Sequence, residues 1–196
     1  TQVYMDTKDA SVAGSVENMQ IQAAQQSQTR PVTVLVTTLR QADSVYPMAD
    51  ITDIYYDFRL FIREKDSRMM AEAVGKCKAA QKNPVLALPH ILRGKDSQKG
   101  RQLMENWLAA GADTFLVRSL EQLGLLKELS RSAVIRVITD ANLYTWNTRA
   151  EQFLLKTTGT QKNLRIIRTT MPLELTAQEL AQTKAAVLPR ELIVYT

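Results

Sequence analysis

A chain of 196 residues with 45% hydrophobic composition is long enough for one domain with a full core. No apolar run approaches the ~18 residues of a membrane helix, and the N-terminus lacks the basic-then-apolar layout of a secretory signal, so no membrane partner is expected. One cysteine, Cys77, rules out an internal disulfide, and a single histidine, His90, leaves no His/Cys metal cage; both suit a cytoplasmic protein, while a net charge of +5 is compatible with an anionic partner such as RNA.

Residues 1–29 read as the tail of a preceding domain or as a linker: Gln20 to Gln28 is Gln-rich, and the one helix signal begins near Ser15, with Val16, Met19 and Ala23 on one side. From residue 30 to 196 a different rhythm sets in. Short, β-branched, nearly continuous apolar runs mark strands at Val32 to Val36, Asp53 to Tyr56, Val85 to Leu88, Thr114 to Val117, Ala133 to Ile138, Leu164 to Ile167 and Leu192 to Tyr195. Between them the punctuation is helical. Asp66 can cap a helix whose inner face is Met70, Ala73, Val74 and Cys77; Asp96 can cap one carrying Leu103, Met104, Trp107 and Leu108 inward and stopped by Gly111. Ser119 with Gln122, Thr148 with Glu151, and Thr176 with Glu179 each have the spacing of a capping box.

Alternation of strand and helix implies right-handed crossovers and a parallel sheet. The absence of a Gly-x-Gly-x-x-Gly or Walker-type loop after any strand favours a barrel over a nucleotide-binding open sheet. A closed barrel has eight strand–helix units, so the expectation is an incomplete (β/α) TIM-like barrel with parallel strands, truncated at its C-terminus.

In such folds ligands bind where strands end and loops begin. Arg40, Arg59, His90, Arg93, Arg118 and Arg168 each follow a strand and would converge on one mouth, where guanidinium groups suit phosphate or carboxylate. Against this, Arg30, Lys82, Arg131, Lys162 and Arg190 sit at the opposite strand ends. His90 is a candidate general base, with a purely structural histidine as the alternative. Asn142 and Asn147 flank Trp146 after a strand and can orient a substrate beside a stacking face, although Asn147 also suits a helix cap. Glu174, after Met171-Pro172, is either an acid/base or ligand-binding group or a charge partner of the helix starting at Thr176. Cys77, on an apolar helix face, reads as a buried small hydrophobe.

The succession Ile138-Thr139-Asp140-Ala141-Asn142-Leu143-Tyr144-Thr145-Trp146-Asn147, then Met171-Pro172-Leu173-Glu174-Leu175, then Glu191-Leu192-Ile193-Val194-Tyr195, resembles the collagenase-like family, family thirty-two among peptidases of unknown catalytic type. There an Asp-x-x-Leu-Asn-x-x-Asn-like strand end, a Pro-x-Glu-Leu turn and a Leu-x-Val-Tyr-Gly strand follow in this order. Asn142-Leu143 stands in reversed order here, while Asn147 and Glu174 align directly. The resemblance runs from Pro31 to the end and implies the C-terminal part of a longer member, inactive by itself, with the remainder of the parent polypeptide as its partner. It also implies one of two activities for the parent. One is a protease acting on collagen or gelatin. The other is oxygen-independent hydroxylation of RNA bases, in tRNA or rRNA, or of a quinone precursor, with an iron-sulfur cluster and in some members prephenate as oxygen donor. No cofactor is expected in this piece itself. No His-Glu-x-x-His helix, Gly-x-Ser-x-Gly elbow or Cys-His signature is present, and a basic barrel mouth sits more easily with RNA or prephenate than with collagen; of the activities the resemblance implies, RNA modification is therefore expected, with the peptidase or a non-catalytic RNA- or protein-binding module as alternatives.

Overall fold

The structure is a computed structural model that describes residues 31–62, 67–92, 95–143, 145, 147–159, 162–182 and 188–193, with the side chains of 95, 96, 181 and 182 left out. The helix expected near Ser15, the Asp66 cap, Arg93 and Trp146 lie outside the described residues. By its contacts the chain divides into Thr1–Pro31 and Val32–Thr196, and the second unit is the one described below.

Among the described residues, seven parallel strands alternate with helices, in the sheet order of the sequence. They are β1 (Val32–Val36), β2 (Ile51–Asp57), β3 (Asn83–Ala87), β4 (Thr114–Val117), β5 (Ile135–Thr139), β6 (Leu164–Thr170) and β7 (Arg190–Glu191). The helices are α1 (Leu39–Val45), α2 (Ser67–Ala79), α3 (Lys95–Ala109), α4 (Leu120–Leu129), α5 (Thr148–Thr158) and α6 (Ala177–Gln182), with short 3-10 turns at Phe58–Phe61 and Ala141–Leu143.

The sheet is curled into an incomplete barrel, and a single side-chain contact demonstrates the curl. In a flat sheet β2 and β6 would stand four strand spacings, roughly 19 Å, apart. Here Arg168 Nη2 on β6 lies 2.7 Å from Asp53 Oδ2 on β2. Within the curl a small apolar layer forms from Tyr55, Val85, Ala87, Leu116 and Ile138, with Ile167 against it. The outer face carries the larger core, in which Ile54, Tyr56, Leu86, Phe115, Val117 and Val137 meet the apolar faces of the helices. Parallel strands buried on both sides read as continuous apolar runs, which is why they were legible.

The helices pack as their periodicity requires. Met70, Ala73, Val74 and Cys77 are buried on α2, and Leu103, Met104 and Trp107 on α3. The Trp107 indole donates to the Thr114 carbonyl at 3.2 Å, so the largest buried side chain carries no unsatisfied N–H. Both helices end in the same way, with a C″ N–H returning to the C3 carbonyl: Lys82 to Cys77 after α2, and Ala112 to Trp107 after α3. The left-handed residue of that motif is Gly111 (φ 87°) in α3, but Gln81 (φ 58°) in α2.

Several expectations need correction. The last strand lies at Arg190–Glu191, ahead of Leu192, because β6 continues past Ile167 to Thr170 and pairs Thr169 with Arg190 and Thr170 with Glu191. Leu192 and Ile193 remain exposed, and residues 194–196 lie outside the described residues. Helix α3 already begins at Lys95, which places Asp96 in its first turn instead of at its cap. Of the three capping boxes, Thr176 with Glu179 forms in both directions. Ser119 caps α4, but the Gln122 side chain turns away to the Arg118 N–H and the Pro89 carbonyl. Asn147 caps α5 in place of Thr148, its Oδ1 accepting from Ala150 N at 3.0 Å, and Glu151 is drawn inward to accept from Leu188 N.

Candidate functional site

The carboxyl ends of β2 to β5 bring together Asp57, His90, Arg118, Asp140 and Asn142. Each position follows from strand alternation: Asp57 and Asp140 stand two residues beyond the inward-facing Tyr55 and Ile138, and Arg118 two beyond Leu116. Loops then add His90, three residues beyond Ala87 at the end of β3, and Asn142 in the 3-10 turn after β5.

A buried ion pair forms the floor. Arg118 Nε is 3.1 Å from Asp140 Oδ2, both side chains being 8% exposed, and Arg118 Nη1 donates to the Leu88 carbonyl at 2.8 Å. Arg118 Nη2 has no hydrogen-bond partner among the described residues, yet it is not sealed from solvent. The other oxygen of Asp140 accepts from the Asn142 backbone N–H at 3.0 Å and from its side-chain amide. That amide also lies 3.5 Å from His90 Nδ1, the outer limit of a hydrogen bond. When it donates there, Nδ1 is the unprotonated nitrogen and Nε2 carries the proton. Buried pair, amide and exposed imidazole thus form one chain from floor to surface.

On the β2 side, Asp57 accepts from Arg59 three times, at its backbone N–H (2.9 Å), Nε (2.9 Å) and Nη2 (2.8 Å). Burial pushes the Asp57 carboxyl up, but the Arg59 bonds and the positive charges of Arg59 and Arg118 outweigh it and hold the group below the usual carboxylate range. Two basic side chains of the mouth therefore face carboxylates, and the floor is close to electrically neutral.

The other candidates are dispersed. Arg168 lies within the curl, bonded to Asp53 and 3.1 Å from Glu191 Oε2, and its orientation leaves Nε without an aligned acceptor even though the ion pair is close. Arg40 is exposed on α1, and Glu174 is exposed in the turn after β6. Asn147 is occupied as a helix cap. Sequence reading passed over Asp57, whose signal was a carboxylate at a strand end with an arginine two residues on, and Asp53, a lone acid inside an apolar run.

Among the described residues no group of three or more His, Cys, Asp or Glu side chains is placed to hold a metal ion. Iron-sulfur clusters are held by several thiolates. The one thiol here, Cys77, is fully buried beneath α2, and burial pushes it up to about 11. These residues do not fit such a cluster. Among the described residues, too, no helix is long and apolar enough to cross a membrane.

In comparison with known proteins, no family model and no curated protein matches the chain.

Proposed function

We propose that this chain is the C-terminal part of a cytoplasmic collagenase-like family protein whose parent hydroxylates RNA without molecular oxygen, and that the mouth around His90, Arg118 and Asn142 receives the base. What supports this is one observation: the exposed imidazole and amide are oriented by a buried Asp140–Arg118 pair at the carboxyl edge of the sheet. A fixed set of donors and acceptors at that edge suits the hydrogen-bonding rim of a splayed-out base better than an extended peptide. Arg118 Nη2 would donate to a carbonyl or ring-nitrogen acceptor, and the Asn142 side-chain oxygen, whose amide N–H groups face Asp140 and His90, would accept from an exocyclic amine. His90 would present its Nε2–H as a hydrogen-bond donor. If prephenate is the oxygen donor, its carboxylates would need Arg40 or Arg93, because Arg118 and Arg168 are already paired. Any iron-sulfur cluster would be held by the remainder of the parent, and no step is assigned to it.

The test is nucleoside mass spectrometry of RNA from cells carrying the full-length parent as wild type, His90→Gln or Asn142→Ala. Loss of one hydroxylated nucleoside by tenfold or more in both variants is expected. Unchanged RNA, together with gelatin hydrolysis that His90→Ala abolishes, would sink this reading in favour of the peptidase.

A further inference from the structure

A recess of about 540 Å³ lies between the 3-10 turn Phe58–Phe61, the segment after β3 and helix α3. That volume is within the range of small-molecule sites. Phe58 and Phe61 wall one side and Leu103 of α3 the other, so a ligand would be held mainly by apolar and aromatic surface. Polar side chains come from Ser67 at the start of α2 and from α3, where Gln102 and Asn106 bond to each other at 3.1 Å. Lys99 is the one charged side chain among the described lining residues, and it makes no ion pair among the described residues.

Gly100 explains how the recess closes on its inner side. A Cβ at that position would come within 2.6 Å of Leu92 Cδ1, so the Leu92 side chain rests directly on Gly100 and would have to shift for a larger residue there. The segment after β3 borders the recess and also carries a residue of the mouth. Pro89, Ile91 and Leu92 line the recess, while His90, between them, reaches Asn142 in the mouth. Its start is anchored from the far side, with Arg118 on the Leu88 carbonyl and Gln122 on the Pro89 carbonyl. Ile91, next to His90, is exposed at the rim of the recess.

We propose that this recess binds a small aromatic or branched-apolar organic anion, its negative group at Lys99, and that the bound ligand sets the position of His90 by packing against Ile91 and Leu92. The site stands independently of the RNA assignment. The apolar walls supply the contact area, and the lysine selects an anion over a neutral molecule of the same shape.

The test uses the intact chain and the fluorescent anion 1-anilinonaphthalene-8-sulfonate, with neutral N-phenyl-1-naphthylamine as its control. Saturable binding of one sulfonate per chain is expected. Lys99→Gln should weaken it by roughly two- to fivefold, the scale of an exposed ion pair, and leave the neutral compound unaffected. Ile91→Asp places a like charge at a rim residue that is 69% exposed, so folding is preserved, verified by circular dichroism, while sulfonate binding falls by tenfold or more. Because the chain has one histidine, its imidazole proton resonance reports the mouth directly and should shift on saturation. Absence of saturable binding, or equal binding by wild type and both variants, overturns the site. An unmoved histidine resonance in the saturated protein overturns the coupling.

Discussion

Replacing Arg168 by methionine tests whether side chains hold the curl. In the folded chain Arg168 Nη2 bonds Asp53 Oδ2 at 2.7 Å, and its Nε is 3.1 Å from Glu191 Oε2. Tyr55 donates to the same Glu191 oxygen at 2.7 Å, and Asn83 to the second oxygen of Asp53 at 2.8 Å. Methionine keeps much of the stem but leaves two carboxylates, 10% and 11% exposed, facing each other across the barrel without a cation. Breaking a buried pair from one side costs about 3–5 kcal/mol. With Arg168 itself 17% exposed, the lower end applies, about 3 kcal/mol. For a domain of this size that lowers the thermal midpoint by about 6–12 °C. Urea unfolding followed by circular dichroism measures it, and a second substitution, Asp53→Asn, in the Arg168→Met background should restore at least 1 kcal/mol, since one stranded charge is removed (an order-of-magnitude expectation of about that size). A loss under about 1 kcal/mol for Arg168→Met, typical of an exposed pair, would refute the view that this contact closes the curl.

Three further outcomes follow from local chemistry. Gln81 occupies the left-handed position that Gly111 fills in the neighbouring motif, so Gln81→Gly should raise the urea midpoint by an equivalent of about 1 kcal/mol and Gly111→Ala lower it by a similar amount; no change in either would discredit the motif. The hydroxyls of Tyr46, Tyr55 and Tyr56 are all raised above their ordinary value, chiefly by burial, so the folded state holds these protons more tightly than the unfolded one. The stabilisation is present below about pH 10 and is lost as pH rises beyond it; stability should fall between pH 9.5 and 11.5 on that scale, and less steeply in Tyr55→Phe and Tyr56→Phe. Cys77, protonated and enclosed, should react with a thiol reagent only as fast as the domain opens; rapid modification of the native protein would contradict its burial.

Much of the fold was legible because it rests on local pattern. The inner faces of α2 and α3, the continuous apolar strands and the Thr176 box all depend on residues within a few positions of each other. What escaped depends on distant partners. Gln122 had the spacing of a capping residue, yet its amide is drawn to the Pro89 carbonyl, 33 residues away, and Glu151 to Leu188 N, 37 residues away. Arg118 and Arg168 looked alike as basic residues after strands. Their carboxylates lie 22 and 115 residues off, so no local signal told which guanidinium would sit beneath the mouth and which would enter the barrel. Glu191 gave a weak strand signal because its pairing is settled by β6 and its side chain by Tyr55.

Strand β2 ties these observations together. Its inward positions run Asp53, Tyr55, Asp57: the first two meet β6 and β7 across the interior, and the third reaches the mouth. A flat sheet could supply the same residues but would set Asp53 and Arg168 four strand spacings, roughly 19 Å, apart and splay the strand ends that carry Asp57, Arg118 and Asp140. Mouth geometry therefore depends on the curl, and the curl is held partly by the Asp53–Arg168–Glu191 cluster, which contributes no group to the mouth. Substitutions at Asp53, Tyr55, Arg168 or Glu191 should then disturb the mouth without removing any group from it, as positioning residues do. A substitution at Arg40, exposed on α1 and outside both layers, should leave the mouth geometry intact.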